Sequence, residues 1–174
     1  AMDDAIIAAA SGNAFGGVAG ATSIALPAGQ KIAVGTTSLT VAKLIAAKEI
    51  LDASDVDPDE TKYLVCSAKE ITSLLGDDKV TSADYNSVKA LVAGQVDTFM
   101  GFNFIRTERI AASGGDNLAL AFTQSAIGLA LGKDISTRIS ERDDKNYATQ
   151  VFLSMTIGAT RVEDEKVVEI ACNV

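Results

Sequence analysis

The side chains that most often do chemistry are sparse in this sequence. It contains no histidine. That removes the commonest general acid–base and metal ligand, together with Ser-His-Asp and Cys-His nucleophile arrangements. Its cysteines, Cys66 and Cys172, lie far apart, each beside apolar neighbours: Leu64 and Val65 for the first, Ile170 and Ala171 for the second. The pattern reads as buried free thiols in a reducing compartment. A disulfide stays open, because spacing in sequence does not fix distance in a fold. Two distant cysteines make no zinc site without carboxylate help. Adjacent carboxylates occur at Asp3-Asp4, Asp77-Asp78 and Asp143-Asp144. Neighbouring side chains on a strand point to opposite faces, so these pairs read as helix caps or solvated turns. A carboxylate metal site would need ligands converging from elsewhere.

Two glycine-containing stretches invite a phosphate reading. Gly12, Gly16, Gly17 and Gly20 crowd one segment, but they do not form G-x-G-x-x-G and no clear strand precedes them. A flexible loop or strand edge is the plainer reading; a small-ligand or enzymatic domain using the loop 12–20 is the competing class. Gly128-Leu129-Ala130-Leu131-Gly132-Lys133-Asp134 puts an acid where a phosphate loop needs Ser or Thr to hold magnesium, and that acid would repel phosphate. Arg138, Arg142 and Arg161 flank extended segments and read as solvated ion pairs or as contacts to neighbouring copies. No catalytic, cofactor-binding or metal-binding residue is assigned, and no cofactor is expected.

The elements that would position such residues follow from pattern. With 48% hydrophobic residues, 5% aromatic and no tryptophan, the core must be aliphatic; its extent suits one domain, or two small subdomains sharing a core. A net charge of −8 and pI of about 4.5 argue against tight or sequence-specific nucleic-acid binding, which needs clustered Lys and Arg. They suit a soluble surface that meets other proteins. No run reaches the roughly 18–20 apolar residues of a membrane span, and no signal peptide opens the chain. Ala1-Met2 resembles a cloning scar, a hint of a piece cut from a longer chain. Asp3 or Asp4 caps a first helix that stops at Ser11-Gly12-Asn13. Residues 24–34 read as a hairpin-like piece around Pro27-Ala28-Gly29-Gln30. A helix over 39–53, capped by Ser38 or Thr40, puts Val41, Leu44, Ile45 and Lys48 on one face. Asp55-Val56-Asp57-Pro58-Asp59 is a connector. Tyr63 to Cys66 is a buried strand, and Ser67 with Glu70 forms a capping box for a helix to about 75, stopped by Gly76.

Asp77-Asp78-Lys79 is then a turn, and Thr81 or Ser82 caps a further helix carrying Tyr85, Val88, Leu91 and Val92. Residues 88–110 hold three of the six phenylalanines, Phe99, Phe102 and Phe104. Gly94 ends the helical period, and from Phe102 apolar and polar residues alternate, so the stretch is a core anchor where helix gives way to strand. After a polar turn at 111–117, Leu118 to Phe122 is a buried strand, and 126–132 fits either strand or short helix. Alternation over 135–140 and 150–158 across the charged turn 141–146 predicts antiparallel strands, with Glu163 to Lys166 separating a last short strand at 167–170.

The ordered set resembles the major capsid proteins of tailed bacteriophages with the HK97-type fold. It comprises Leu39-Thr40-Val41-Ala42-Lys43-Leu44, Asp55-Val56-Asp57-Pro58, Leu64 to Ile71, Leu74-Leu75-Gly76-Asp77, Thr81 to Tyr85, Leu91 to Val96, Phe99-Met100-Gly101-Phe102 and Gly158-Ala159-Thr160-Arg161-Val162. The resemblance implies an α+β fold: an axial domain with a central mixed or antiparallel sheet flanked by helices, and a peripheral domain with a spine helix and long strands. Residues 1–59 would be peripheral, with the spine helix at 39–53; 60–134 would be axial; 135–174 would return as peripheral strands. The chain is short for the family, so an N-terminal arm and much or all of an extended loop are expected to be missing. The implied role is that of a non-enzymatic subunit of an icosahedral head shell that self-assembles and encloses DNA, made in the host cytoplasm and resident in the virion. Its partners would be other copies of itself, as pentamers and hexamers, with scaffolding or portal proteins besides; no membrane or small-molecule substrate is implied. An encapsulin-like container is the alternative within the same fold.

Overall fold

The computed structural model describes residues 2–54, 56–76, 98–110 and 112–173. The turn at Asp77-Asp78-Lys79, the helix expected over 81–92 and its stop at Gly94 lie outside them.

The strand pattern builds a mixed sheet. Its strands are β3 (Lys31–Ile32), β4 (Lys62–Cys66), β5 (Thr98–Phe99), β6 (Phe102–Arg106), β7 (Ala112–Ser113), β8 (Asp116–Thr123) and β11 (Val167–Asn173). They lie in the order β3-β11-β8-β4-β6-β5, with β7 paired to the start of β8. β4 runs parallel to β6, and β11 parallel to β3; β8 is antiparallel to both of its long neighbours, β4 and β11. Period-2 alternation assigns the faces. Leu64, Cys66, Ala119, Ala121, Val168, Ile170 and Cys172 point into one core, with Leu39, Leu44, Leu51, Leu74 and Phe102. Val65, Leu120 and Val167 point the other way, onto Ile7, Ala10, Leu26 and Ala126.

Helices cover both faces. α1 (Met2–Ser11) has Asp3 and Asp4 in its first turn, where acids meet the positive helix end. α2 (Val41–Ala53) is capped by Thr40, whose side chain accepts from the Lys43 N–H. Its buried stripe is Val41, Leu44, Ala47 and Leu51, with Lys43 beside it. Of the expected face, Val41 and Leu44 are buried, but Ile45 is 51% exposed and Ala47 and Leu51 complete the stripe instead. The apolar residues of α2 surround the helix, so periodicity alone did not single out the side facing the sheet. α3 (Ala68–Leu75) carries the capping box at Ser67 and Glu70, and Gly76 closes it by donating to the Thr72 and Ser73 carbonyls.

The hairpin expected around Pro27 forms earlier. β1 (Ala14–Gly16) pairs with β2 (Thr22–Ile24), while Ala28–Gln30 is a single 3-10 turn leading into β3. The cause is backbone freedom: Gly17 and Gly20 hold φ of 87° and 62°, which glycine adopts without strain.

Beyond the sheet stand β9 (Ile127–Arg142) and β10 (Ala148–Arg161), a separate antiparallel pair. The ambiguous segment 126–132 is thus mostly strand, and the turn is Asp143–Lys145 with Asn146 and Tyr147 at positive φ. At about 3.3 Å per residue the arm extends roughly 50 Å. β3, α2 and β11 complete the same sheet and core as residues 60–123, and β11 pairs with β8 along its whole length.

Candidate assembly surface

Three charged side chains, Arg161, Lys43 and Glu70, are buried and bonded to this chain's own atoms. Arg161, 4% exposed, closes the base of the long hairpin. Its guanidinium is paired with Asp164 and donates to the carbonyls of Ala10 (3.3 Å), Gly12 (2.7 Å) and Ile24 (3.2 Å). One side chain therefore ties β10 to the end of α1 and to β2, and a cation suits the carbonyl-rich helix end. Both readings of Arg161, a solvated ion pair or a contact to neighbouring copies, are corrected: its ion pair with Asp164 is made by a side chain fully covered by this chain's own residues. Lys43 sends its ammonium to three carbonyls, Val34 (2.8 Å), Thr37 (2.7 Å) and Ala171 (2.8 Å), joining the loop before α2 to β11. Burial pulls its pKa below the usual lysine value. Glu70 is fully buried; its Oε2 accepts from the Ser67 N–H at 2.6 Å while Oε1 has no partner. Burial raises its carboxyl pKa, and the Ser67 hydrogen bonds oppose the rise.

The remaining candidates resolve into local structure. Asp4 binds Arg109 through both carboxylate oxygens, at 2.9 and 2.8 Å. Asp144 binds Arg142 across the hairpin tip. Glu108 accepts from the Ala68 N–H and adds a second acid at the start of α3. Cys66 and Cys172 are free and buried, and burial pushes both thiols up to about 12. They sit in strands on either side of β8, roughly 10 Å apart by strand spacing, too far for a disulfide. Among the described residues, no three His, Cys, Asp or Glu side chains converge as metal ligands, and no helix is long and apolar enough to cross a membrane. The glycines of 12–20 turn the β1–β2 hairpin; a strand follows them, so no helix N-terminus completes a phosphate cradle there. Gly128 to Asp134 lies within β9, in extended backbone.

The exposed surface with a distinctive character is the hairpin. Near its base α1 covers part of one face, where Ile157 and Ala159 are half-buried. Further out, register shifts on β9 mark bulges between the pairs Ser154↔Ser136, Thr156↔Lys133 and Ile157↔Leu131. Beyond them Val151 stands opposite Ile139, and Leu153 opposite Thr137. Opposite residues of an antiparallel pair share a face, so these four form one apolar strip. Ile139 is 71%, Val151 60% and Leu153 64% exposed. The other face carries Gln150 opposite Ser140, Ser154 opposite Ser136, and Phe152 opposite Arg138. Sequence reading found this alternation but gave no sign that the apolar face would stand open.

Comparison with known proteins fits this geometry. The capsid of Ralstonia phage GP4 superposes with a TM-score of 0.70 at 11% identity, over 99% of this chain and 62% of that one. The capsid of Cyanophage P-SCSP1u gives 0.67 at 20% identity, over 98% and 60%. The SrpI encapsulin complex of Synechococcus elongatus PCC 7942 gives 0.56 at 10% identity, over 85% and 56%. The chain thus has the HK97-type fold and spans between half and two thirds of the length of these structures. No curated protein sequence matches it. The phage capsid protein family model matches residues 1–174, and the chain belongs to that family.

Proposed function

We propose that this chain is the folded body of a subunit of an icosahedral bacteriophage head shell, a structural protein that assembles with copies of itself and encloses DNA. The whole-chain family match carries the reading. The net charge of −8 suits it, since a container that gripped its genome tightly could not release it. Catalysis is assigned to no residue. The virion is its place, with synthesis in the host cytoplasm, and scaffolding and portal proteins of the same head are its further partners.

The packing supports a division of labour within the subunit. The mixed sheet with α2 and α3 takes the axial role, gathering around the shell's rotation axes. The β9–β10 hairpin, with α1 along its base, takes the peripheral role. An encapsulin-like container remains the second reading, favoured by the likeness to the SrpI complex.

Electron microscopy of the complete protein after expression tests the function. Closed shells, or rings of five or six subunits, are the expected result. A dispersed monomer that binds a small ligand saturably would overturn it, and particles loaded with a cargo enzyme instead of DNA would select the container.

A further inference from the structure

Glu70 is fully buried and has an oxygen to spare. Oε2 accepts from the Ser67 N–H at 2.6 Å, and Oε1 has no hydrogen-bond partner among the described residues. A carboxylate there would leave a charged oxygen bare in an apolar core, which is costly; a carboxyl that keeps its proton avoids this. The described elements around Glu70 each bring a group that bears on that proton. α2 brings Lys43, but its three N–H donors go to the carbonyls of Val34, Thr37 and Ala171, so the ammonium acts on Glu70 through its field alone. β4 and β11 bring Cys66 and Cys172, thiols that burial keeps uncharged. β8 brings Asn117, whose amide donates to the Ser67 hydroxyl at 3.3 Å, and Asp116, which acts on Lys43. The segment after β6 brings Glu108, whose carboxylate accepts from the Ala68 N–H at 2.9 Å. Two acidic side chains therefore meet two successive amides, Ser67 and Ala68, at the start of one helix. Like charges so placed oppose each other's ionisation, and water reaches the exposed Glu108 but not Glu70.

We infer that the start of α3 is a proton-operated latch: Glu70 holds a proton that Glu108 helps to keep there, and loss of that proton loosens the bond between Glu108 and the Ala68 N–H. The latch joins separate parts of the fold. Residues 107–109 are tied to β4 by the Thr107 N–H on the Cys66 carbonyl at 3.0 Å, to α3 by Glu108, and to α1 by the Arg109–Asp4 pair. With Glu70 protonated, the joint carries one negative charge, which the positive end of α3 favours. With Glu70 ionised it carries two, and one of them is buried with an oxygen unpaired. Glu108, on the surface, is the member free to move away, and its departure releases Ala68. Linkage gives the direction. Burial, with Glu108 adding to it, raises the Glu70 carboxyl above 4.5 against the pull of the Ser67 hydrogen bonds and Lys43. The closed joint therefore binds the proton more tightly than an opened one. Closure is complete at acid pH and weakens as pH rises through the folded value.

The test compares the complete protein as wild type, Glu70→Gln and Glu108→Gln across a pH series. Infrared difference spectra read the C=O stretch of a protonated carboxyl. Hydrogen exchange over residues 67–71 and 107–109, corrected for the intrinsic effect of pH, reads opening of the latch. Wild type is expected to keep a protonated-carboxyl band above pH 4.5 that Glu70→Gln lacks. Its opening is expected to grow by up to about tenfold per pH unit between 4.5 and the folded value, then to level off. Opening in Glu70→Gln should not depend on pH over that window. Glu108→Gln still offers the Ala68 N–H an acceptor but removes the neighbouring charge, so its band should vanish at lower pH than in wild type. Glu108 is exposed, so this variant keeps the test readable should Glu70→Gln fold poorly. A wild type without the band, opening that is flat with pH, or a band lost at the same pH in Glu108→Gln and wild type overturns the inference.

Discussion

β8 and β10 are built from the same kinds of residue and meet opposite fates. In β8, Ala119, Leu120, Ala121 and Thr123 are buried, because α2 and α3 lie on one face and α1 with Ala126 on the other. In β10, Val151, Phe152 and Leu153 are each more than half exposed, because α1, the described helix that packs on the hairpin, lies near its base. Alternation therefore says which side chains share a face, and connectivity says whether that face is covered. α3 follows β4 after one residue, Ser67, and α2 lies in the connection between β3 and β4, so each is tied to strands of the sheet it covers. The hairpin folds back on itself across residues 143–147, a 3-10 turn at Asp143–Lys145 followed by Asn146 and Tyr147, with no helix between its two strands.

Substitutions sharpen this contrast. The largest effect is expected at Phe102, fully buried in the α2 and α3 core: Phe102→Ala should cost about 3–5 kcal/mol by denaturant midpoint. Phe152→Ala, at a side chain 52% exposed, should cost under about 1 kcal/mol. Equal losses at the two sites would erase the distinction between the regions. Arg161 joins the regions, and Arg161→Leu leaves Asp164 and the carbonyls of Ala10, Gly12 and Ile24 without their donor. A loss of about 3 kcal/mol is expected, with faster hydrogen exchange at the hairpin base before the central sheet exchanges.

Glu70 tests the sheet side through pH. Its folded pKa is raised above the ordinary 4.5, mainly by burial, so the native protein binds the proton more tightly than the unfolded chain. Its contribution to stability then declines as pH rises from about 4.5 through the folded value. Glu70→Gln keeps the capping chemistry and should flatten that decline, with a melting temperature at pH 7 no lower than wild type. A wild-type melting curve that rises across this window, with Glu70→Gln identical, would refute the assignment. The smallest effect is expected on the hairpin. A Cβ at Gly158 meets no atom within 4 Å and φ there is ordinary, so Gly158→Ala should stabilise the chain by about 0.5–1 kcal/mol, read as a raised melting temperature.

Much of this was legible in the residues themselves. Ser67 and Glu70 announced α3, because a capping box is a local bargain between two side chains and two N–H groups. Alternation announced β9 and β10, short apolar runs announced β8 and β11, and the ordered set of segments announced the fold. Lys43 and Arg161 were illegible. Each is a cation whose partners are backbone carbonyls distant in sequence, Ala171 for one and Ala10, Gly12 and Ile24 for the other. A carbonyl is present at every residue, so nothing in the sequence marks which ones will gather around a charge. The sharing of one core by α2 and β11 was hidden for a related reason: non-local pairing is decided by the whole sheet, not by either segment.

Arg161 also has a mechanical meaning. It sits at the fulcrum of an arm roughly 50 Å long, so a tilt of about 5° at the guanidinium would swing the Asp143–Lys145 turn by about 4 Å. The length of the arm multiplies any angular change at this cluster of hydrogen bonds, so the direction of the distal hairpin is set at its base, where Arg161 meets α1 and β2.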